Sequence, residues 1–444
     1  MDAFSPPLTR PFFFIMIGTM AKIFSFTYRY FTVPLLSVLA FLLFPFNKKL
    51  KEGLKERNYG LGRSYPKKLN NKKTYWFHCS SGEIEYALPL MRKLKEQKDC
   101  NILLSWHSPS VLKLIKENSP IDYVIASPWE SLSSYNKFIK HFQPERLFIA
   151  RTDLWPAMLE SAKRHNIPSI LFAATFVEGS GRNSSFLSRN FYSWVHNLVS
   201  QIYCVTEEDK ELYLKLNYKG EIFVSGDTRY EQVIWKLQQS SSFPIKLVRD
   251  ERLIMIAGST WPEDENHLLP ALLKQKHSYR LIIAPHEPSD EHLMPIIAFC
   301  ENNQLSYKLF SQTHEFSEDV LIIDKVGVLA SAYDKSDLAF IGGAFKASIH
   351  SVMEGLAAGL ICIFGPFHKN NREAIEFQNY ELDSKTKLSM ANTVDSQENL
   401  EQMLKSIFSA RENLSSFKLK IKELIQSKAG TSEKISVAVG KTQL

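Results

Sequence analysis

Four segments of the chain set a carboxylate, an imidazole or a hydroxyl beside a tight turn of small residues, the local arrangement that group-transfer chemistry needs. The first is HCSSGEIEYALPLMRKL, residues 78–94. Ser80, Ser81 and Gly82 form a tight connection, Glu83 opens a helix, and Ala87, Leu88, Met91 and Leu94 follow at helical spacing. A carboxylate in this position has two uses: it complements the helix macrodipole, or it serves as a general base within reach of a hydroxyl. The helix terminus favours its ionised form and burial disfavours it. Glu85 points elsewhere on the helix.

The second segment, AGSTWPEDEN at 257–266, repeats the plan of strand, small-residue turn and acidic helix start. Ser259 or Thr260 is the expected cap, Pro262 suits a first turn, and Glu263 stands at capping-box distance from Thr260. Backbone N–H groups exposed there can also bind phosphate or carboxylate. The third, IIAPHEPSDEHL at 282–293, places His286 and Glu287 at the end of an apolar run, where the imidazole either meets a ligand or belongs to an ordinary loop. The fourth, FIGGAFKASIHSVMEGLAAGLICIFGP at 340–366, runs from Gly342 and Gly343 into a helix expected to start near Ser348. Its expected buried stripe is Ile349, Val352, Met353, Leu356 and Ala357, which leaves His350, Ser351 and Glu354 outside it. With Lys346 alongside, the turn fits a nucleotide phosphate, although an ordinary capped helix gives the same pattern. Neither GxGxxG nor GxxxxGKS is present, so no dinucleotide or ATP loop is signalled.

The elements that position these turns are short apolar runs separated by helical stretches: 75–79, 101–105, 122–126, 146–150, 168–173 and 202–205, then 252–258, 280–284, 320–324, 338–343 and 361–365. Continuous apolar strands alternating with helices predict parallel sheets covered on both faces. The polar, Ser-rich stretch 236–250 interrupts the series and reads as a linker. The expected fold is therefore α/β, with two doubly wound Rossmann-like domains, 74–235 and 251–425, facing a cleft, and a polar tail at 426–444. Ligands of such sheets bind at the carboxyl ends of the strands.

Composition narrows the class. The 444 residues are 44% hydrophobic and 23% charged with 18 Gly, which excludes collagen-like, disordered and small disulfide-stapled chains. The net charge of +7 is concentrated in 47–73, which holds ten Lys or Arg against two Glu, a local +8. Concentration in one element argues against nucleic acid as a partner and for an anionic surface beside it. Directly before it, residues 30–46 carry no charge. Residues 1–46 thus read as an anchor region, whose apolar stretch spans the bilayer, lies in its interface, or is a signal peptide that lacks a cleavage site. Lys48, Lys49, Lys51, Lys55 and Arg57 place the body on the cytoplasmic side and suit anionic headgroups. Five dispersed cysteines without CxxC, and no HExxH, predict buried free thiols and no metal site.

Taken in order, NYGLG (58–62), SSGE (80–83), RTDLWP (151–156), SGDTRYE (225–231), GSTWPEDE (258–265), IIAPHEP (282–288) and IGG, IHSVMEG and FGP between 341 and 366 resemble the 3-deoxy-D-manno-octulosonic acid (Kdo) transferases, which add Kdo to the lipid A precursor of Gram-negative envelopes. The resemblance covers roughly residues 20–425. It implies a two-domain GT-B glycosyltransferase of the inner membrane that uses CMP-Kdo, needs neither metal nor cofactor, and inverts the donor's anomeric configuration. By the same resemblance Glu83 is the catalytic base. Ser80, Ser81, Gly82, Arg151 and Asp153 lie on the acceptor side. Ser259, Thr260, His286, Gly342, Gly343, Lys346, Ser348, His350 and Ser351 serve the donor, with Glu354 on its ribose. Two departures stand out. Arg151 occupies a place that is often acidic in the family, and His286 follows Pro285 directly where the family has an intervening Arg, for which Lys346 or Arg372 are the available substitutes. Transfer of another nucleotide sugar or of a polyol phosphate, or a non-catalytic membrane scaffold, are the alternatives these departures leave.

Overall fold

The computed structural model describes residues 21–43, 65–66, 70–116, 118–239 and 243–441. Lys48, Lys49, Lys51, Lys55 and Arg57, with most of the basic stretch, lie outside the described residues. The chain divides into two compact units, one of 1–232 together with 430–444, the other Val233–Ala429.

The first unit is built on a seven-stranded parallel sheet: β1 (Lys73–Cys79), β2 (Cys100–Trp106), β3 (Tyr123–Ala126), β4 (Pro144–Ala150), β5 (Ser169–Ala174), β6 (Gln201–Cys204) and β7 (Glu221–Val224), in the order β3-β2-β1-β4-β5-β6-β7. The reversal of direction on either side of β1 is the doubly wound arrangement, and it leaves the turns after β1 and β4 adjacent at the carboxyl edge. Trp76, Phe77, Leu103, Phe148 and Leu171 are fully buried because helices cover both faces, which is why these strands are apolar without alternation.

The second unit repeats the plan with β8 (Leu253–Thr260), β9 (Tyr279–Pro285), β10 (Tyr307–Leu309), β11 (Val320–Ile322), β12 (Leu338–Ile341), β13 (Ile361–Phe364) and β14 (Ala391–Thr393), ordered β10-β11-β9-β8-β12-β13-β14. Every apolar run named above is a strand. The short strands β7, β10 and β14 were not anticipated, since three or four residues at a sheet edge carry too little apolar sequence to stand out.

Two boundaries differ from expectation. The helix Arg229–Gln239 runs into the stretch read as a linker, and Lys246–Leu247 within it pairs as a strand with Glu315–Phe316. The residues read as a polar tail instead form the helix Thr431–Lys441, which returns to the first unit and buries Ile435 and Val439 among Ile84, Leu88 and Leu94. Its two apolar contacts are diluted by Ser, Lys and Gly, which hid the stripe.

Residues 21–43 are helical, with a π-helical turn at Tyr28–Thr32 before Val33–Leu43. Pro34 lacks an N–H, and a widened turn before it accommodates the missing bond. Among the described residues no helix is long and apolar enough to cross a membrane. The first part of this helix packs on the first unit: Phe24 and Tyr28 meet Phe191 and Trp194, Arg29 pairs with Glu160, and Ser25 donates to Glu160 at 2.9 Å. Tyr28 also donates to Glu130 Oε1 at 3.3 Å, the same oxygen that accepts the Ala157 N–H at 2.6 Å.

Burial raises the Glu130 carboxyl to about 7. Between the ordinary carboxylate range and pH 7 the folded chain therefore keeps a proton that the unfolded chain has released, so this group's contribution to stability falls as pH rises through that window and levels above it. Glu130→Gln, which retains an accepting oxygen for Ala157, is expected to gain stability over the native chain on the order of 2 kcal/mol more at pH 8 than at pH 5. Melting curves at the two pH values measure this, and an equal difference at both would remove Glu130 as the titrating group.

Candidate functional site

In the first unit the carboxyl end of β1 turns sharply through Ser80–Gly82 into the helix Ile84–Gln97, with Glu83 as its N-cap residue. Glu83 does not act as a plain macrodipole complement: its carboxylate folds back to accept the Ser81 N–H at 2.7 Å, which fixes it over the turn. Ser80 and Ser81 are tied to the loop after β2 by Ser108 N–H to Ser80 O at 2.8 Å and by the Ser81 and Ser110 hydroxyls at 3.0 Å. Glu85 is bonded by Gln232 at 3.1 Å, away from the turn.

After β4, Asp153 enters the same edge. Its Oδ2 lies 3.2 Å from Nε2 of the fully buried His78 and its Oδ1 accepts Trp155 Nε1–H at 2.9 Å. Burial pushes this carboxyl up, but His78, the Ser80 hydroxyl and His107 outweigh it and hold it well below the usual carboxylate range. His107 stacks on Trp155 at 4.1 Å and meets His78 edge-on at 5.0 Å. Burial, then Asp153 and Glu83, keep the Cys79 thiol well above its ordinary value, which places both carboxylates around the end of β1.

Arg151 has φ +67°, a conformation few side chains adopt without support, and its N–H donates to Phe172 O at 2.9 Å. Its guanidinium lies 4.9 Å from the centre of the Tyr86 ring, while that of Arg229 lies 5.6 Å from it and donates to the Tyr86 hydroxyl at 3.2 Å. The first unit thus brings Glu83, Ser80, Ser81, Gly82, Arg151 and Asp153 to one strand edge. Sequence reasoning missed His78, His107, Trp155 and Arg229. Arg229 stood within SGDTRYE, whereas His78 was concealed by its apolar run.

In the second unit β8 extends through Thr260, and Trp261 is the N-cap of Pro262–Lys274. Capping comes from Asp264, which accepts the Trp261 N–H at 2.9 Å, rather than from Ser259, Thr260 or Glu263. Pro262, fixed at the first helical position, moves the cap to the residue before it. Thr260 is buried and donates to Glu265 at 2.7 Å, and Glu265 also meets His292 at 2.9 Å, so this hydroxyl faces the interior. Ser259 has φ +56° and is half-buried.

Gly342 and Gly343 are required by space. A Cβ on Gly342 would stand 2.2 Å from Ser259 O, and one on Gly343, at φ +92°, would stand 2.4 Å from Ser348 O. The helix expected from Ser348 is only Met353–Ala357. Residues 344–350 fold back instead: the N–H groups of Ala347 and Ser348 donate to Gly343 O, that of Ile349 to Phe367 O and that of His350 to Gly342 O. The amides of 347–350 are therefore occupied, and the helix start expected near Ser348 lies instead at Val352, its N-cap. The groups that do converge are side chains. His286 stacks on His350 at 4.5 Å and tilts over Trp261 at 4.9 Å, Trp261 Nε1–H donates to His350 Nε2 at 3.2 Å, and Lys346 Nζ lies 3.3 Å from the centre of the Trp261 indole. Ser351 Oγ is buried without a hydrogen-bond partner among the described residues. Glu354 is half-buried and, after burial itself, helps hold the Tyr333 phenol well above its ordinary range. Trp261 was quoted within its motif but given no role.

All five cysteines are buried and unbridged. Among the described residues no group of three or more His, Cys, Asp or Glu side chains is arranged to hold a metal ion.

Residues 52–232 match the family described as 3-deoxy-D-manno-octulosonic-acid transferase (kdotransferase). The 3-deoxy-D-manno-octulosonic acid transferase of Rickettsia felis is 26% identical over 332 residues, 71% of this chain and 70% of that protein. Two solved structures share the fold. UDP-GlcNAc 2-epimerase from Neisseria meningitidis bound to UDP-GlcNAc superposes with a TM-score of 0.54 at 14% identity, over 83% of this chain and all of that one. A glycosyltransferase from Rickettsia africae does so with a TM-score of 0.52 at 12% identity, over 84% of this chain and all of that one. The doubly wound pair of sheets is thus of the GT-B type, and the chain is similar to the 3-deoxy-D-manno-octulosonic acid transferases, by the family match over residues 52–232 and by relatives that align with most of its length.

Proposed function

We propose that the protein transfers Kdo from CMP-Kdo to the lipid A precursor lipid IVA at the cytoplasmic face of the inner membrane, in lipopolysaccharide synthesis, with inversion at the anomeric carbon and without a metal ion. The observation that carries this reading is the placement of Glu83: a half-exposed carboxylate, fixed by the Ser81 N–H, at the carboxyl end of a central strand within the region that matches the family. Glu83 takes the proton from the acceptor hydroxyl as its oxygen attacks the anomeric carbon, and CMP leaves from the opposite face. Arg151 and Arg229 beside Tyr86 give the acceptor end a positive field suited to a phosphorylated sugar. On the donor side Lys346, His286 and His350 meet the charge of the departing phosphate, with Trp261 and the imidazoles presenting flat surfaces to the nucleotide. The exposed apolar face of residues 30–42 holds the enzyme at the bilayer that contains the acceptor.

Glu83→Gln is expected to lower turnover by about 10²–10⁴-fold while CMP binding is kept. Turnover is read as CMP released from CMP-Kdo in the presence of tetraacylated lipid A precursor, with the product's mass increment counting the sugars added. Intact turnover in the variant would remove Glu83 as the base.

The donor is tested separately. CMP is expected to raise the melting temperature of the full chain and UDP to leave it unchanged; protection by UDP alone would redirect the reading to another nucleotide sugar.

A further inference from the structure

The first unit contains a second concave feature at the opposite edge of its sheet from Glu83. A groove of about 830 Å³ is formed by the ends of the helices Pro156–Arg164, Phe186–His196 and Glu207–Lys215 and by the loops that lead into β6 and β7. These segments all precede strands, so the groove lies at the amino edge of the sheet, whereas the Glu83 turn lies at the carboxyl edge. Four cations line it, Lys163, Arg189, Lys215 and Lys219, and no acidic residue does. Arg189 is fixed there by its bond to Lys215 O at 2.6 Å. Between the cations the lining mixes Trp194, Leu198 and Leu216 with the neutral polar Asn190, Ser193, Asn197 and Asn217, and it includes Phe186, 65% exposed.

Ala21, at the start of the N-terminal helix, lines the same groove. From there Ile23, Phe26 and Tyr30, spaced along one helical face, stand 52%, 56% and 64% exposed, while Phe24 and Tyr28 pack inward. With Leu187, 65% exposed, beside Phe186, an apolar flank runs from the groove along the helix. An apolar flank joined to a pocket that holds only positive charge matches one chemistry, an acidic headgroup with acyl chains at its side.

We infer that this groove seats the headgroup of an anionic membrane phospholipid, so that the N-terminal helix beside it lies along the bilayer surface. The seat stands apart from the transfer reaction and does not depend on it.

The test uses the full chain and vesicles of phosphatidylcholine alone or mixed with phosphatidylglycerol. Replacing Lys163, Lys215 and Lys219 together by Gln is expected to weaken partition onto the anionic vesicles by roughly 100-fold, at about fivefold per cation, and to leave binding to neutral vesicles unchanged. The same change at Lys385, Lys405 and Lys420 of the second unit is expected to cost far less. Equal losses from both sets, or none from the first, would overturn the inference. So would displacement by inorganic phosphate at constant ionic strength, which marks a site for the free anion. Brominated phosphatidylglycerol gives an independent reading that needs no charge variant. It is expected to quench native fluorescence by a share that Trp194→Phe abolishes; an unchanged share would show the groove closed to lipid and overturn the assignment.

Discussion

Both sheets are parallel and covered on each face, and this one constraint decides where chemistry can occur. A side chain on the interior of β1 or β8 has apolar neighbours above and below, so a charged group placed there would be desolvated on all sides. In these central strands only the ends reach solvent. Glu83, Asp153, Arg151, His286 and Lys346 accordingly all follow the last residues of strands, and Ser259 is the last residue but one of β8. Where the chain must pass closest, at Gly342 beside Ser259 O, no side chain fits at all.

The two strand-end clusters solve different electrostatic problems. The first surrounds two carboxylates with imidazole, hydroxyl and guanidinium groups, so that Asp153 stays ionised despite burial and Glu83 is oriented by a backbone amide. The second uses few charges. Its Lys346 rests on an indole, and its two imidazoles stack on each other, so that burial and the neighbouring His286 lower the affinity of His350 for a proton. Beside His286, which follows Pro285 directly, the cluster thus offers aromatic surface and one ammonium rather than a guanidinium fork.

Much of this was legible in the sequence, for reasons that can be named. Strands buried on both faces read as unbroken apolar runs, and the turns after them announced themselves by Ser, Gly and a following carboxylate. What stayed hidden was polar chemistry inside apolar words. His78 sits in YWFHC and reads as one more strand residue, yet it is half of the His78–Asp153 pair. The turn after β12 differed in another way: the sequence carries helical spacing from Ile349 to Ala357, but the space required around Gly343 folds residues 344–350 back, and a five-residue helix remains where a longer one was expected. Capping by Asp264 and the return of Thr431–Lys441 were likewise tertiary outcomes that no short window contains.

That returning helix makes the first unit discontinuous. The face of Ile84, Leu88 and Leu94 that receives Ile435 and Val439 is made early, but its cover is made only after all of Val233–Ala429 has been synthesised. At ordinary elongation rates the interval is roughly 10–40 s. For that time the nascent first unit carries an open apolar face on the very helix that Glu83 begins, and it must either wait for its last segment or be shielded by a chaperone. Closure of the core behind Glu83 is therefore timed by the completion of the second unit, so a ribosome-bound fragment ending before Thr431 would leave Ile84, Leu88 and Leu94 uncovered.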